Sequence, residues 1–90
     1  MPLGETNANA AILALGALAW IVATPERANR YLDVTGIDLD TLRAQADEPA
    51  FMAATLAYLE AHEPDLLACA AALDVTPEAL VGARRKLENP

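Results

Sequence analysis

The sequence predicts an all-α fold, a compact bundle of five to six short helices with two helix-turn-helix-like corners. Three observations carry that prediction. The chain is 54% hydrophobic and dominated by strong helix formers such as Ala and Leu, while Val and Ile are few and aromatics make up only 4%. Prolines stand where helices start, after Thr24, Glu48 and Thr76, and a proline fits the first helical turn because its missing N–H has no partner there anyway. The stretch "LDVTGIDLDTL", Leu32 to Leu42, is echoed by "LDVTPEAL", Leu73 to Leu80, and both read as a helix end, a tight turn and a helix start. A chain of 90 residues can close one hydrophobic core, so the expectation is a single helical domain over residues 1–90 with its core at about 7–87.

The first helix is expected from about Asn7 to Ala23, capped by Thr6 or Asn7. Ile12, Leu15, Leu18 and Val22, together with Leu13 and Trp20, give it two apolar faces and the place of a central helix. Thr24-Pro25-Glu26 opens the second as N-cap, N1 proline and first-turn acid, matching the unpaired N–H groups and the helix dipole. That helix ends at Gly36. With Gly36 left-handed, Leu32 and Ile37 fall at the positions whose apolar contact accompanies a Schellman cap. Asp38 caps the third helix, which places Leu39 and Leu42 inward and ends near Asp47. Pro49 lies in the first turn of the fourth, where Phe51, Met52, Leu56, Tyr58 and Leu59 recur at helical spacing. Pro64 separates the fourth helix from a fifth over Leu66 to about Leu73, because an interior proline loses a hydrogen bond and clashes with the preceding turn. Thr76-Pro77-Glu78 opens the sixth by the chemistry of Thr24.

Aligning the turns sets Ile37 on Val75, Asp38 on Thr76, Asp40 on Glu78 and Leu42 on Leu80, an offset of 38 residues. Each copy has an aliphatic plug, a cap, an acid and an inward Leu. The match stops at Gly36 on Asp74 and Tyr31 on Cys69. Capping chemistry alone produces such a pattern, so two corners follow from it and a duplication does not.

Charge narrows the function. The net charge is -7 and the pI about 4.4, which repels nucleic acid and anionic membrane at long range. From Tyr31 to Glu78 there are ten acids against one base, Arg43. Arg84, Arg85 and Lys86 form a basic run in the last helix, and an anionic partner would dock there or beside Arg27 and Arg30. A DNA-reading corner puts the start of its second helix in the major groove. Those positions are Leu39, Asp40 and Thr41, or Pro77, Glu78 and Ala79, and both sets carry an acid that repels phosphate. Cations near a helix end also favour the dipole and solvate a surface, so nucleic acid is not the expected partner.

Enzyme chemistry finds no constellation. The chain has no serine, which removes serine nucleophiles. Cys69, the single cysteine, lies in the apolar "LLACAAAL", where a buried structural thiol outweighs a pair with His62. Glu60, His62, Glu63 and Asp65 match no closed zinc spacing, and Asp38, Asp40, Asp47 and Glu48 lack the spacing of a calcium loop, so no metal and no cofactor is expected. Trp20, Tyr31, Phe51 and Tyr58 sit at core spacing. The four glycines are scattered and make no phosphate loop. The uncharged "AAILALGALAWIVA" is shorter than the roughly 18 residues of a membrane span, and no basic n-region precedes it, so a buried helix is expected rather than a signal peptide or membrane anchor.

The order "LALGALAWI", "RYLDVTGIDLDTLR", "EPAFMAATLAYL" and "LDVTPEALVGARRKL" resembles a family of small proteobacterial proteins classed as a domain of unknown function, over about Asn9 to Leu87. The resemblance implies a helical, cytoplasmic bacterial protein and supplies no catalytic residues. The expectation is therefore a non-catalytic module that binds another protein. It would use an exposed helix face or the corner between the last two helices, with a homodimer as the simplest version and a nucleic-acid-binding corner through Arg84, Arg85 and Lys86 as the alternative.

Overall fold

Six helices follow one another with short connections in the computed structural model, which describes residues 3–89, with side chains for residues 9–89. They are α1 (Leu3–Val22), α2 (Pro25–Thr35), α3 (Leu39–Gln45), α4 (Pro49–Glu60), α5 (Glu63–Leu73) and α6 (Pro77–Glu88). No strand occurs among the described residues. Proline occupies the first turn of α2, α4, α5 and α6. Pro64 thus belongs to the first turn of α5, which begins at Glu63, three residues before the start expected from the sequence. Its neighbours Glu63 and Asp65 face the positive end of the helix dipole. At the other end of the chain, α1 runs helically through Thr6 and Asn7, the residues expected to cap it, and reaches Leu3.

The core gathers Ala10, Ala14, Ala17, Leu18 and Ile21 of α1 against Leu56 and Leu59 of α4 and Leu80, Ala83 and Leu87 of α6. These three helices make the main contacts of the fold. The small side chains on α1 let the helix axes approach closely, as ridges of alanine leave shallow grooves. Among the described side chains α4 buries the most, and all five of its expected core positions, Phe51, Met52, Leu56, Tyr58 and Leu59, are among them. α1 holds the central place expected for it, since it packs against α2, α4, α5 and α6, while α4 meets three helices. It still keeps an outer face, because the shortest dimension is 19 Å, about two helix diameters.

The two corners are matched in backbone beyond the residues that match in sequence. Gly36 closes α2 at φ 72 and Asp74 closes α5 at φ 59, both left-handed. Their hydrogen bonds differ. The Asp74 N–H donates to Ala71 O and the Val75 N–H to Ala70 O, the paired bonds of a Schellman motif. At Gly36 only its own N–H reaches back, to Leu32 O at 2.9 Å, while the Ile37 N–H turns to the Thr35 hydroxyl. The Schellman cap expected at Gly36 is thus the simpler left-handed cap, because the Thr35 side chain competes for the next donor. Beyond each turn the cap side chain accepts from the third residue on, Asp38 from Thr41 N at 2.7 Å and Thr76 from Ala79 N at 3.1 Å. The Asp38 carboxyl is accordingly held below its ordinary range. The second corner is buried at Leu80, whereas α3 buries no residue fully and the Leu39 expected inward is 52% exposed.

Candidate interaction surfaces

Three consecutive basic residues on a helix fan out by about 100° each, so adjacency in sequence does not make a patch. Arg84 turns inward. Its guanidinium pairs with Glu60 of α4 through Nε and with Glu88 through Nη1 at 2.6 Å, and only 21% of the side chain is exposed. The two carboxylates hold its pKa above the ordinary value, Glu60 contributing first. Arg85 and Lys86 are exposed, and neither makes an ion pair among the described residues. The basic run offered as a possible anion or partner contact is therefore divided, with its first member tying α6 to α4.

The other two candidate anion contacts are also engaged. Arg27 lays its guanidinium 3.7 Å from the centroid of the Trp20 ring and donates to the Trp20 carbonyl at 2.9 Å. That geometry is a cation–π clamp across the α1–α2 turn. Arg30 pairs with Asp65 of α5, and its pKa is raised by Tyr58 and then by Asp65.

Between these helices lies a buried polar relay that carries no separate sequence signature. The Tyr31 and Thr55 hydroxyls are 3.0 Å apart, and Thr55 donates to Phe51 O at 3.1 Å. A hydroxyl has one proton, so with Thr55 donating to Phe51 the Tyr31 O–H must donate to Thr55. The Tyr58 ring packs edge-on against Tyr31 and stacks on His62. Tyr31, Phe51 and Tyr58 take the packing roles expected of them, while Trp20 is half-buried under Arg27.

His62 and Cys69 do not form a nucleophile pair. They lie seven residues apart at and beyond the start of α5, about 10 Å along its axis. Cys69 is fully buried, and burial pushes its thiol up to about 11, away from the thiolate that a nucleophile needs. No cluster of three or more metal-ligating side chains is found among the described residues.

What the outer face of α1 offers instead is apolar. Ile12, Leu15, Ala19 and Val22 recur at three- and four-residue spacing and are exposed, Ile12 at 65%. No charged residue occurs between Glu5 and Glu26 to interrupt that stripe. On α5, whose Leu73 packs where α1 has Gly16, Leu67 is 51% exposed with Ala68, Ala71 and Ala72. No single helix among the described residues is long and apolar enough to cross a membrane.

A family model described as "Protein of unknown function (DUF3572)" matches residues 7–90. The chain belongs to the DUF3572 family. No match is found among curated proteins or among solved structures. The match covers the capped corners, the α4 core helix and the Arg84–Glu60 tie of this DUF3572 chain, so those features all lie within the family's domain.

Proposed function

We propose that this DUF3572 protein is a non-catalytic module that binds another protein chain through the outer face of α1, in a bacterial cytoplasm. The observation that supports the reading is the stripe of Ile12, Leu15, Ala19 and Val22. Single exposed aliphatics are ordinary on protein surfaces, but a continuous row along the part of α1 that carries no charge after Glu5 is the composition of a contact face. Its i, i+3, i+7 and i+10 anchors are those of helix-to-helix docking. A second copy is the simplest partner, because two uncharged faces meet without bringing the acidic surfaces of the two chains together.

Replacing Ile12 and Leu15 by Glu tests this. Both side chains are exposed, so the fold should hold, with stability changed by no more than about 0.5 kcal/mol per site. Sedimentation of the wild type should show self-association, or a photo-crosslinker at position 12 should capture a partner in cells, and the double variant should lose either. A wild type that stays monomeric at high concentration and crosslinks to nothing would overturn the proposal. The nucleic-acid alternative is weakened by the engagement of Arg84 with Glu60 and Glu88.

A further inference from the structure

A second surface lies away from the α1 stripe, where the start of α4 meets the end of α6. A groove of about 650 Å³ opens there, lined by Glu48, Pro49, Ala50, Ala53, Ala54, Leu87 and Glu88. That volume is within the roughly 300–1,000 Å³ of ordinary ligand sites. Its floor is aliphatic and small: Ala50, Ala53 and Ala54 stand at i, i+3 and i+4 on α4, and Leu87 closes the far side. The rim is acidic. Glu48 is the N-cap residue of α4 without making a side-chain cap, and it has no ion pair among the described residues. Asp47 precedes it. Glu88 gives Oε1 to Arg84 and keeps Oε2 for another donor. The negative end of the α6 dipole opens on the same side.

We propose that this groove binds a cationic amphipathic helix of another protein. Aliphatic side chains of that helix would rest on Ala50, Ala53, Ala54 and Leu87, and its Lys or Arg side chains would meet Glu48 and Glu88. A helix is the form of the partner because the groove walls are themselves helices and offer no strand edge to satisfy an extended backbone. The partner is a different protein because charge complementarity requires a basic chain. A second copy brings a further net charge of -7 toward an acidic rim.

The test uses the full chain and a short fluorescein-labelled peptide of Leu, Ala and Lys in an amphipathic helical pattern, with a matched peptide carrying Glu in place of Lys. Anisotropy should report binding of the Lys peptide that weakens with salt, and none of the Glu peptide. Ala54→Trp fills the groove from an exposed position and leaves the net charge unchanged, so it separates the groove from general attraction to an acidic protein. It should weaken binding at least about tenfold, and Glu48→Lys should weaken it about fivefold or more. Circular dichroism of each variant should match the wild type. Equal affinity of the Ala54→Trp variant would overturn the proposal, as would equal binding of the Glu peptide. Self-association of the wild type that Ala54→Trp abolishes would assign the groove to a second copy and overturn it too. Ile12→Glu, which disables only the α1 face, should leave peptide binding intact.

Discussion

The buried relay of Tyr31, Thr55 and Phe51 makes an asymmetric prediction. Both hydroxyl-bearing residues are 1% exposed, so neither can exchange its partner for water. With the Tyr31 O–H donating to Thr55 and the Thr55 O–H donating to the Phe51 carbonyl, the two ends of the relay are not equivalent. Tyr31→Phe removes a donor, and Thr55 still donates to Phe51, so the loss is that of one satisfied hydrogen bond, about 1 kcal/mol. Thr55→Val keeps the shape but strands the Tyr31 O–H in an apolar interior, and the cost rises to about 2 kcal/mol with a ceiling near 3. In a domain of this size each kcal/mol lowers the Tm by roughly 4–8 °C. The double variant removes donor and acceptor together and leaves no stranded group. Its cost should fall below the sum of the single costs by about 1 kcal/mol or more, the coupling expected of residues in one network. Urea denaturation followed by circular dichroism measures all three, read as midpoints at constant slope. A Tyr31→Phe variant less stable than Thr55→Val would reverse the assigned direction of the relay. Strict additivity would refute the relay itself.

Two further outcomes follow from the fold. Burial raises the Cys69 thiol from its ordinary 9.0 to about 11, so the native chain holds a proton that the unfolded chain has released. Stability from this group is whole below pH 9.0 and is lost as pH rises through about 11, on the order of 2 kcal/mol, with Tyr31, also raised by burial, adding to the loss above 10.0. Urea midpoints across that range should fall in the wild type and fall less steeply in Cys69→Ala; parallel slopes would remove the thiol from the account. At the two corners, substitutions at matched positions should have opposite signs. Gly36 sits at φ 72 with open space where a Cβ would stand, so Gly36→Ala costs only the left-handed backbone term, about 1 kcal/mol. Asp74→Gly relieves that term at φ 59 and should raise the thermal midpoint, and a lower midpoint would show that the Asp74 side chain holds the turn.

The starts of α2, α3, α4 and α6 were legible because their causes are local, whereas α1 and α5 begin earlier than expected. A cap or a first-turn proline acts on donors within four residues, so Asp38, Pro49 and Thr76 could be placed without knowing the fold, and Thr24 holds the N-cap position beside Pro25 without the side-chain hydrogen bond expected of it. The backbone match of Asp74 to Gly36 escaped detection because Asp tolerates the left-handed region without announcing it. Facing was harder to read. Hydropathy ranks Ile12 and Leu15 above Ala10, Ala14 and Ala17, yet those alanines, with Leu18 and Ile21, are the buried face of α1, since close helix approach along its first part selects for small size. At the candidate surfaces the sequence names the cations but not their partners. Glu60 lies 24 residues from Arg84, and Asp65 lies 35 from Arg30. Only the packing of α4 on α6, and of α2 and α5 on the α1 they share, brings them together, and the α4–α6 packing creates the groove beside Glu48, for which no local pattern exists.

That packing also bears on why an apolar stripe remains outside. Rotating α1 to bury Ile12 and Leu15 would drive branched side chains into an interface spaced for alanine, and overpacking of that kind costs about 1–3 kcal/mol per site. In a body 19 Å thick no third layer of helices among the described residues covers the opposite face. The described residues therefore do not bury both faces of α1, and the choice of Ala10, Ala14, Ala17, Leu18 and Ile21 for the inside leaves Ile12, Leu15 and Val22 outside. Polar residues at positions 12, 15 and 22 would leave the interior untouched and remove the exposed apolar surface. The stripe is thus not needed to complete the fold, which supports the contact proposed at that face. Arg84 carries the complementary lesson: a charge that looked like a ligand contact is used to join α6 to α4, and a row of aliphatics that looked like core is left on the surface.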